Sequence, residues 1–211
     1  METRQKNIAV LVSGGGTNLQ AIFDAENSGI IKSGRDTVVI SSKPDAYALE
    51  RAKNQGVEGI VLERKAYADR KAYSEALAAE LEARNIDLVV LAGFMIILDE
   101  SFIKAFANRI INVHPALIPS FCGDGYYGLH VHEAALAKGV KVSGATVHFV
   151  NEVCDGGPII LQKAVEVVDG DTPETLQRRI MEQAEWKLLP EAVELFCAGR
   201  LKVEGNIVHI K

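Results

Sequence analysis

The sequence predicts one α/β domain in which a mostly parallel β-sheet is covered by helices on both faces. Short apolar runs alternate with longer segments of helical period, and glycine, proline or aspartate separates them. Nearly continuous apolar runs of this kind are typical of parallel strands buried on both faces. At 211 residues and 48% hydrophobic composition, the chain can bury a full core in a single domain.

The predicted elements follow one another in regular order. Helix-forming segments separate five predicted parallel strands, at residues 7–12, 37–42, 59–63, 87–93 and 109–113. From residue 142 onward, SGATVHFVN and GPIILQKAVEVV predict neighbouring antiparallel strands. DTPETLQRRIMEQAEWKLLPEAVELFCAG then predicts a long helix capped by Asp or Thr, with Pro173 in its first turn and a kink near Pro190. The final RLKVEGNIVHI predicts a hairpin.

Composition and charge narrow the possible partners. The net charge of −5, with lysine and arginine scattered, argues against nucleic acid or a membrane surface. The N-terminal apolar run of six residues is too short for a signal peptide or a membrane span, so we expect a cytoplasmic protein. Cys122, Cys154 and Cys197 are too few and too dispersed to predict a disulfide framework or a metal site.

A glycine-rich loop, SGGGTN at residues 13–18, follows the first strand and opens a helix. Glycines permit close backbone approach, and a helix N-terminus offers free N–H groups, so a phosphate is the natural ligand. No Lys-Ser/Thr pair follows the last glycine, and Leu19 stands where a dinucleotide fingerprint has its third glycine. A tight turn without a ligand is the alternative interpretation.

Two polar residues end the predicted central strand in the segment INVHPALIP. Asn112 and His114 are spaced two apart, so they share one face of an extended chain. Asn offers neutral N–H donors for an oxygen that gains negative charge, and His can donate, accept or carry a proton. A hydrogen-bonded core histidine is the alternative for His114 alone.

The third candidate loop, residues 151–158, has the sequence NEVCDGGP and contains Asp155. It follows the run TVHF, whose histidine is His148. A carboxylate within reach of His114 is expected to raise the pKa of that imidazole and orient it, or to hold a water. An Asp before two glycines can equally be a plain turn. An Asn, a His and an Asp without a Ser or Cys nucleophile favour direct attack by a substrate amine or water on a carbonyl, with no metal.

Five motifs in order resemble the phosphoribosylglycinamide formyltransferase family. They are SGGGTNLQAI, LAGFMIIL, INVHPALIPSF, ATVHFVNEVCDGGPII and the long final helix, and the resemblance covers essentially residues 7–200. The resemblance implies a Rossmann-like sheet and one formyltransferase domain over residues 1–211. It also implies transfer of a formyl group from 10-formyltetrahydrofolate, the co-substrate, to the amino group of glycinamide ribonucleotide in de novo purine biosynthesis.

The resemblance also implies residue roles. Asn112 and His114 would polarise the formyl oxygen, while Asp155 would orient His114 and help move a proton through water. A ribonucleotide-binding half, residues 1–113, would bind the phosphate. A second half, residues 114–211, would carry the catalytic loops, the long helix and the hairpin. The implied ribonucleotide contacts are Gly16, Thr17, Asn18 and Glu185, and the implied folate contacts are Arg70, Met95, Ile96, Ile97, Leu98, Asn112, Asn151, Glu152, Val153 and Cys154.

The sequence departs from the family pattern in several places. Ile96 replaces a common Arg, Trp186 follows Glu185 where the family has His, and Leu189 precedes Pro190 where it has Tyr. CGDGYYG, between Phe121 and Leu129, is an insertion of about five residues. We expect these changes to affect folate-tail contacts and loop shape, not the chemistry.

Two histidines lie just past the insertion, in LHVHEAAL. His130 and His132 are expected to precede a helix and to serve its start or the surface. The resemblance assigns no role to them or to His148.

Other functions compete with this one. A formyltetrahydrofolate deformylase would use the same Asn, His and Asp, but the glycine-rich loop and a first strand at residue 7, without a regulatory domain before it, argue against it. A methionyl-tRNA formyltransferase would bring a basic C-terminal domain. A non-catalytic nucleotide-binding domain has no need of Asn112, His114 and Asp155 together, and an inactive paralogue is the remaining alternative. The expected partners are small molecules, with a monomer or homodimer as the assembly.

Overall fold

The computed structural model describes residues 4–211, which form one mixed sheet with helices on both faces. The strands are β1 (Lys6–Val12), β2 (Gly34–Ser41), β3 (Glu58–Val61), β4 (Leu88–Leu91), β5 (Ile110–His114), β6 (Val142–Phe149), β7 (Ile159–Glu166), β8 (Leu201–Glu204) and β9 (Ile207–Ile210). The helices are α1 (Thr17–Asn27), α2 (Tyr47–Gln55), α3 (Arg70–Ala83), α4 (Glu100–Ala105), α5 (Leu129–Lys138), α6 (Pro173–Ile180) and α7 (Trp186–Cys197).

The strand order confirms the predicted fold class. It runs β3-β2-β1-β4-β5-β6-β7-β9-β8, and the neighbours among β1 to β5 are all parallel. β6 is antiparallel to both β5 and β7, and the β8–β9 hairpin extends the sheet beside β7. The loops after β1, β4 and β5 therefore leave the same edge of the sheet side by side, where ligands of open α/β sheets bind.

The alternation within β1 explains why this apolar run is a strand. Ile8, Val10 and Val12 belong to the hydrophobic core that also contains residues of α1 and α7. Ala9 and Leu11 belong to a second core, on the other face, with residues of α3 and α4. Both faces of β1 are therefore covered, as a continuous apolar run requires.

The long C-terminal helix is interrupted before Pro190. Thr172 accepts a hydrogen bond from the backbone N–H of Thr175, whose hydroxyl accepts one from Thr172 N–H, and Pro173 occupies the first turn. A π-helical segment, Met181–Glu185, separates α6 from α7, while Pro190 lies inside α7. The irregularity thus falls upstream of the proline, and π-helical turns of this kind are frequent at functional sites.

None of the helices between residues 4 and 211 is both long enough and apolar enough to cross a membrane.

Asp36 in β2 is a buried carboxyl that receives no hydrogen bond from the residues that the structure describes. Within the described chain neither of its oxygens has a hydrogen-bond partner, although its backbone N–H donates to Glu26 Oε1 at 2.6 Å. Burial, followed by repulsion from Glu26, raises the pKa of Asp36 well above its usual range. The folded state therefore holds this proton more tightly than the unfolded chain, and stability is lost as the pH rises above the unfolded pKa of about 3.9.

Replacing Asp36 with Asn should stabilise the protein at high pH. We expect Asp36→Asn to increase the free energy of unfolding by about 1–2 kcal/mol at pH 8, because the amide needs no proton, and by much less at pH 4. Urea unfolding at both pH values measures the difference, with exposed Asp45→Asn as the control. An equal effect at pH 4 and pH 8 would show that Asp36 is ionised in the fold.

Candidate active site

Asn112, His114 and His148 share one face of the β5–β6 pair. Asn112 lies directly opposite His148 in the antiparallel register, and His114 lies opposite Thr146. Residues two apart on a strand face the same way, and directly paired residues share a face. The structure therefore adds a second histidine to the two polar residues that the sequence places on this face.

Asp155 reaches this face by a route that the sequence does not reveal. Because β6 runs antiparallel to β5, its last residue pairs with Ile111, at the end of β5 remote from His114. The loop then folds back across the sheet. Asp155 Oδ2 lies 3.5 Å from His114 Nδ1, and its Oδ1 lies 3.5 Å from His148 Nε2.

The residues around Asp155 explain the motif DGG. Asp155 has a φ of 53°, in the left-handed region, and a Cβ on Gly157 would overlap the carbonyl oxygen of Phe149. The Asn151 amide braces the loop, since its oxygen accepts from Val153 N–H at 3.0 Å and its nitrogen donates to the Gly156 carbonyl at 3.2 Å. The side chain of Asn151, an implied folate contact, therefore serves the loop itself.

The insertion and the residue before it contact the candidate catalytic residues directly. His114 Nε2 lies 2.8 Å from the carbonyl oxygen of Phe121, which precedes the insertion, and Gly123 N–H, within the insertion, donates to Asp155 Oδ2 at 2.9 Å. The insertion therefore contacts Asp155 as well as shaping the loop, and its effect on folate-tail contacts and on the chemistry stays a prediction. The density of glycines in CGDGYYG is the sequence signal for a loop that approaches other groups closely.

The surroundings of the site act differently on the ionisation of His114 and of Asp155. Burial lowers the pKa of His114 more than Asp155 raises it, as expected of that carboxylate, so the net change is downward. Burial alone would raise the pKa of Asp155. The proximity of His148 and His114, together with the hydrogen bond from Gly123 N–H, holds that pKa below its usual value. At neutral pH the pair is therefore a neutral imidazole beside a carboxylate.

Residues of α2 form hydrogen bonds with carbonyl groups of the glycine-rich loop. Ala48 N–H donates to the Gly14 carbonyl at 3.1 Å, and Arg51 Nε donates to the Gly15 carbonyl at 2.8 Å. Gly16 has a φ of 69°, and a Cβ there would lie 2.7 Å from Ala48 Cβ, whereas a Cβ on Gly14 or Gly15 would meet open space. With its carbonyls engaged by α2, the loop can offer N–H groups and the α1 N-terminus to an anion.

Asn18 and Glu185, distant in sequence, meet beside this loop. Asn18 Nδ2 donates to Glu185 Oε2 at 2.7 Å, and Glu185 is only 6% exposed at the end of the π-helical segment. Burial raises the pKa of Glu185 to about 7, and the bond from Asn18 opposes that rise. This carboxyl can therefore gain or lose a proton near neutral pH.

The loop after β4 is connected to the glycine-rich loop through Ser13. Met95 N–H donates to Ser13 Oγ at 3.0 Å, and Ser13 Oγ lies 2.7 Å from Ser42 Oγ. Met95 and Ile97 are exposed, Ile96 is partly buried, and Leu98 is buried in the core. The structure thus presents two apolar side chains at the edge where the loop after β1 also lies.

The remaining implied folate contacts are mostly on the surface. Arg70 is exposed at the start of α3. The pKa of Asp99, next to Leu98, is lowered first by hydrogen bonds with Ser101 and further by the charge of Arg70. Arg70 therefore lies near the loop after β4. Glu152, Val153 and Cys154 are exposed in the Asp155 loop.

His130 and His132 lie inside α5 rather than before it, which corrects the sequence expectation. His130 is exposed, with Nδ1 3.0 Å from Glu133 Oε2. His132 is fully buried, and neither ring nitrogen has a hydrogen-bond partner in residues 4–211. Burial, followed by interaction with His114, lowers the pKa of His132 to about 4, so this ring is neutral.

Comparison with known proteins identifies the family. The formyl transferase family matches residues 6–193. The chain belongs to this family. Among its relatives, the phosphoribosylglycinamide formyltransferase of Escherichia coli (strain K12) is 43% identical over 95% of this chain and 91% of that protein. The prediction made from the five motifs is thus confirmed.

Solved structures agree with this assignment to the formyl transferase family. The structure of glycinamide ribonucleotide transformylase 1 from Symbiobacterium toebii has a TM-score of 0.92 and 50% identity, covering 98% of this chain and 94% of that chain. A formyltetrahydrofolate deformylase from Pseudomonas syringae has a TM-score of 0.87 at 24% identity, covering 99% of this chain and 66% of that chain. The deformylase shares the fold, and at this identity the likeness says nothing about the reaction.

The buried Glu185 carboxyl should titrate near pH 7, and Asn18→Ala should move its midpoint higher because the mutation removes a donor to the charged form. NMR of protein with ¹³C-labelled glutamate carboxyls measures the midpoint, and Glu185→Gln assigns the signal. Neighbouring Thr17→Ala serves as the control. A midpoint close to the usual glutamate value of about 4.3 would mean that water solvates this carboxyl.

Proposed function

We propose that this formyl transferase moves the formyl group of 10-formyltetrahydrofolate to the amino group of glycinamide ribonucleotide, giving formylglycinamide ribonucleotide and tetrahydrofolate in de novo purine biosynthesis. Relatives that span nearly the whole chain are phosphoribosylglycinamide formyltransferases. The observation that carries the proposal is the Asp155 carboxylate, which lies beside His114 on the face that also presents the Asn112 amide.

The glycine-rich loop is the proposed binding site for the ribonucleotide phosphate. The backbone of Gly16, Thr17 and Asn18 opens α1, where N–H groups and the helix dipole favour an anion. Glu185 lies beside this loop through its bond with Asn18 and is proposed to hold the glycinamide amino group. A carboxyl that titrates near pH 7 can accept hydrogen bonds from that amine without keeping it fully protonated.

The folate is proposed to bind where the loop after β4 and the Asp155 loop expose apolar surface. Met95, Ile97 and Val153 are 55%, 62% and 64% exposed, values that leave these side chains free to pack against a flat aromatic ring. Arg70, near the first of these loops, offers a positive charge for a carboxylate of the folate. No metal takes part in the proposed reaction.

The chemistry is direct transfer between the two substrates. The amine attacks the formyl carbon, the new carbon–nitrogen bond forms, the bond from the formyl carbon to N10 of the folate breaks, and the amine proton passes to N10. Asn112 donates an N–H to the oxygen as it gains negative charge. The ionised Asp155 accepts the amine proton through water and returns it to N10.

The role of His114 requires one exchange of hydrogen bonds. Its Nε2 donates to the Phe121 carbonyl in this structure, so it can donate to the formyl oxygen only after that bond is given up. Asn112 needs no such exchange, because an amide nitrogen carries two N–H donors. Asn112 is therefore the residue best placed to stabilise the oxyanion in the geometry described here.

Deformylation, in which water takes the formyl group, is the competing reaction. It would need neither the anion-binding loop nor the buried Glu185 that lies beside it. Both features favour a second substrate that carries a phosphate and an amine. A cytoplasmic location and a monomer or homodimer remain predictions.

An assay with two substrates tests the proposed reaction. Purified protein should release tetrahydrofolate only when 10-formyltetrahydrofolate and glycinamide ribonucleotide are both present, and absorbance spectroscopy follows the release. Mass spectrometry should find the formyl group on the ribonucleotide. Release at an equal rate without the ribonucleotide would instead identify a deformylase.

Gly15→Val tests the phosphate site without disturbing the fold. A Cβ at this position meets open space, so the branched side chain should obstruct the anion and raise the KM for the ribonucleotide at least tenfold, while the KM for the folate changes little. Thermal unfolding should be unchanged. Gly16→Ala provides the contrast, because its Cβ would press on Ala48 and lower the melting temperature. An unaltered KM in Gly15→Val would place the phosphate elsewhere.

A further inference from the structure

His148 is the one histidine of the catalytic face to which the proposed reaction gives no role. It is 1% exposed on β6, opposite Asn112, and its Nε2 lies 3.2 Å from Asn112 Nδ2. Its other ring nitrogen, Nδ1, lies 2.8 Å from the backbone oxygen of Phe149. Both nitrogens of this buried ring therefore have a polar neighbour within hydrogen-bond distance.

The backbone contact determines the tautomer of the His148 ring. A carbonyl oxygen can only accept, so Nδ1 must carry the proton that it donates to Phe149. In a neutral imidazole the other nitrogen, Nε2, then has a lone pair and can only accept. Of the two ends of the Asn112 amide, only the NH₂ group can face that lone pair.

We propose that His148 is a positioning residue for formyl transfer, acting through Asn112. The lone pair of its Nε2 holds the Asn112 amide with the nitrogen toward the His148 ring. One N–H of Asn112 donates to His148, and the second N–H is left for the formyl oxygen. This inference rests on the proposed function, since it assigns His148 to the same reaction.

The opposite amide orientation would place an acceptor where the reaction needs a donor. If Asn112 were rotated by half a turn, its carbonyl oxygen would face the lone pair of His148 and would repel it. Asparagine has no intrinsic preference between the two orientations, so a neighbour must decide between them. His148 performs that function because its own proton is held by Phe149 at the opposite side of the ring.

Asp155 provides the alternative arrangement that an experiment must exclude. Its Oδ1 lies 3.5 Å from His148 Nε2, which is longer than the 3.2 Å to the Asn112 nitrogen. A doubly protonated His148 would donate from Nε2 to this carboxylate, and the Asn112 oxygen would then turn toward the His148 ring. The two arrangements therefore differ in the protonation of one nitrogen, and the shorter contact supports the neutral ring.

NMR of protein labelled with ¹⁵N in histidine tests the tautomer without any substrate. We expect the His148 ring to show a protonated Nδ1 and an unprotonated Nε2, and a spectrum of His148→Gln assigns the signals. A protonated Nε2, in either the neutral or the cationic ring, would overturn the proposal.

A double-mutant cycle tests whether His148 acts through Asn112. Asn112→Ala should lower kcat by about 100- to 1000-fold, and His148→Leu by about 10- to 100-fold, with little change in either KM. The double variant should be no slower than Asn112→Ala alone. Effects that multiply would show that His148 acts independently of Asn112 and would overturn the proposal.

Two further variants separate positioning from simple structural support. His148→Gln should retain most of the wild-type kcat, because its side-chain oxygen can replace the Nε2 acceptor, whereas a rate as low as that of His148→Leu would count against an acceptor role. His209→Leu, on exposed β9, is the matched control and should leave the rate unchanged. If His148→Leu fails to fold, the Gln variant and the spectrum of the wild type still test the positioning role of His148.

Different results would refute the proposed function and the positioning role of His148. A wild-type protein that transfers no formyl group would refute the proposed function, whatever tautomer His148 adopts. A protein that transfers formyl normally but shows a protonated His148 Nε2 would refute only the positioning role.

Discussion

The partly buried carboxylate of Asp155 is the group on which the site depends. Removing an ionised carboxylate from water is costly unless polar groups surround it. Here the Gly123 N–H, His114 and His148 all lie within 3.5 Å of its two oxygens. The inserted loop, the Asp155 loop and the β5–β6 pair are therefore assembled around one charge, and a change in any of them would affect the other two.

Three carboxyls that are largely shielded from water show how strongly the surroundings control ionisation. Asp155 accepts a hydrogen bond from Gly123 N–H, lies beside two imidazoles and has a lowered pKa. Glu185 accepts one hydrogen bond, from Asn18, and has a pKa of about 7, whereas Asp36 has an acidic neighbour and a pKa well above its usual range. The polar and charged groups that face each carboxyl order the three. Only the two carboxyls with donors lie in the candidate site, where one can be a permanent charge and the other can titrate.

The two proposed substrate sites are linked through Ser13 rather than through the catalytic residues. Ser13 begins the glycine-rich loop directly after β1, and its hydroxyl accepts a hydrogen bond from Met95 N–H in the loop after β4. Since β1, β4 and β5 are neighbours, both loops project from one edge, beside the strand that carries Asn112. The sheet order thus brings the proposed formyl donor and acceptor sites to the residues that would join them.

The sequence determined by itself the elements whose signals are local. The apolar runs located the parallel strands, the spacing of Asn112 and His114 placed them on one face, and ordered motifs identified the family. Only the tertiary structure decided contacts between distant segments: the path by which Asp155 returns across the sheet, the bond between His114 and the Phe121 carbonyl, and the pairing of His148 with Asn112. The physical reason is that these contacts join segments far apart in the sequence, and no local pattern specifies which distant segments meet. The lowered pKa of His114 likewise follows from burial, a property of the packed molecule that no single motif contains.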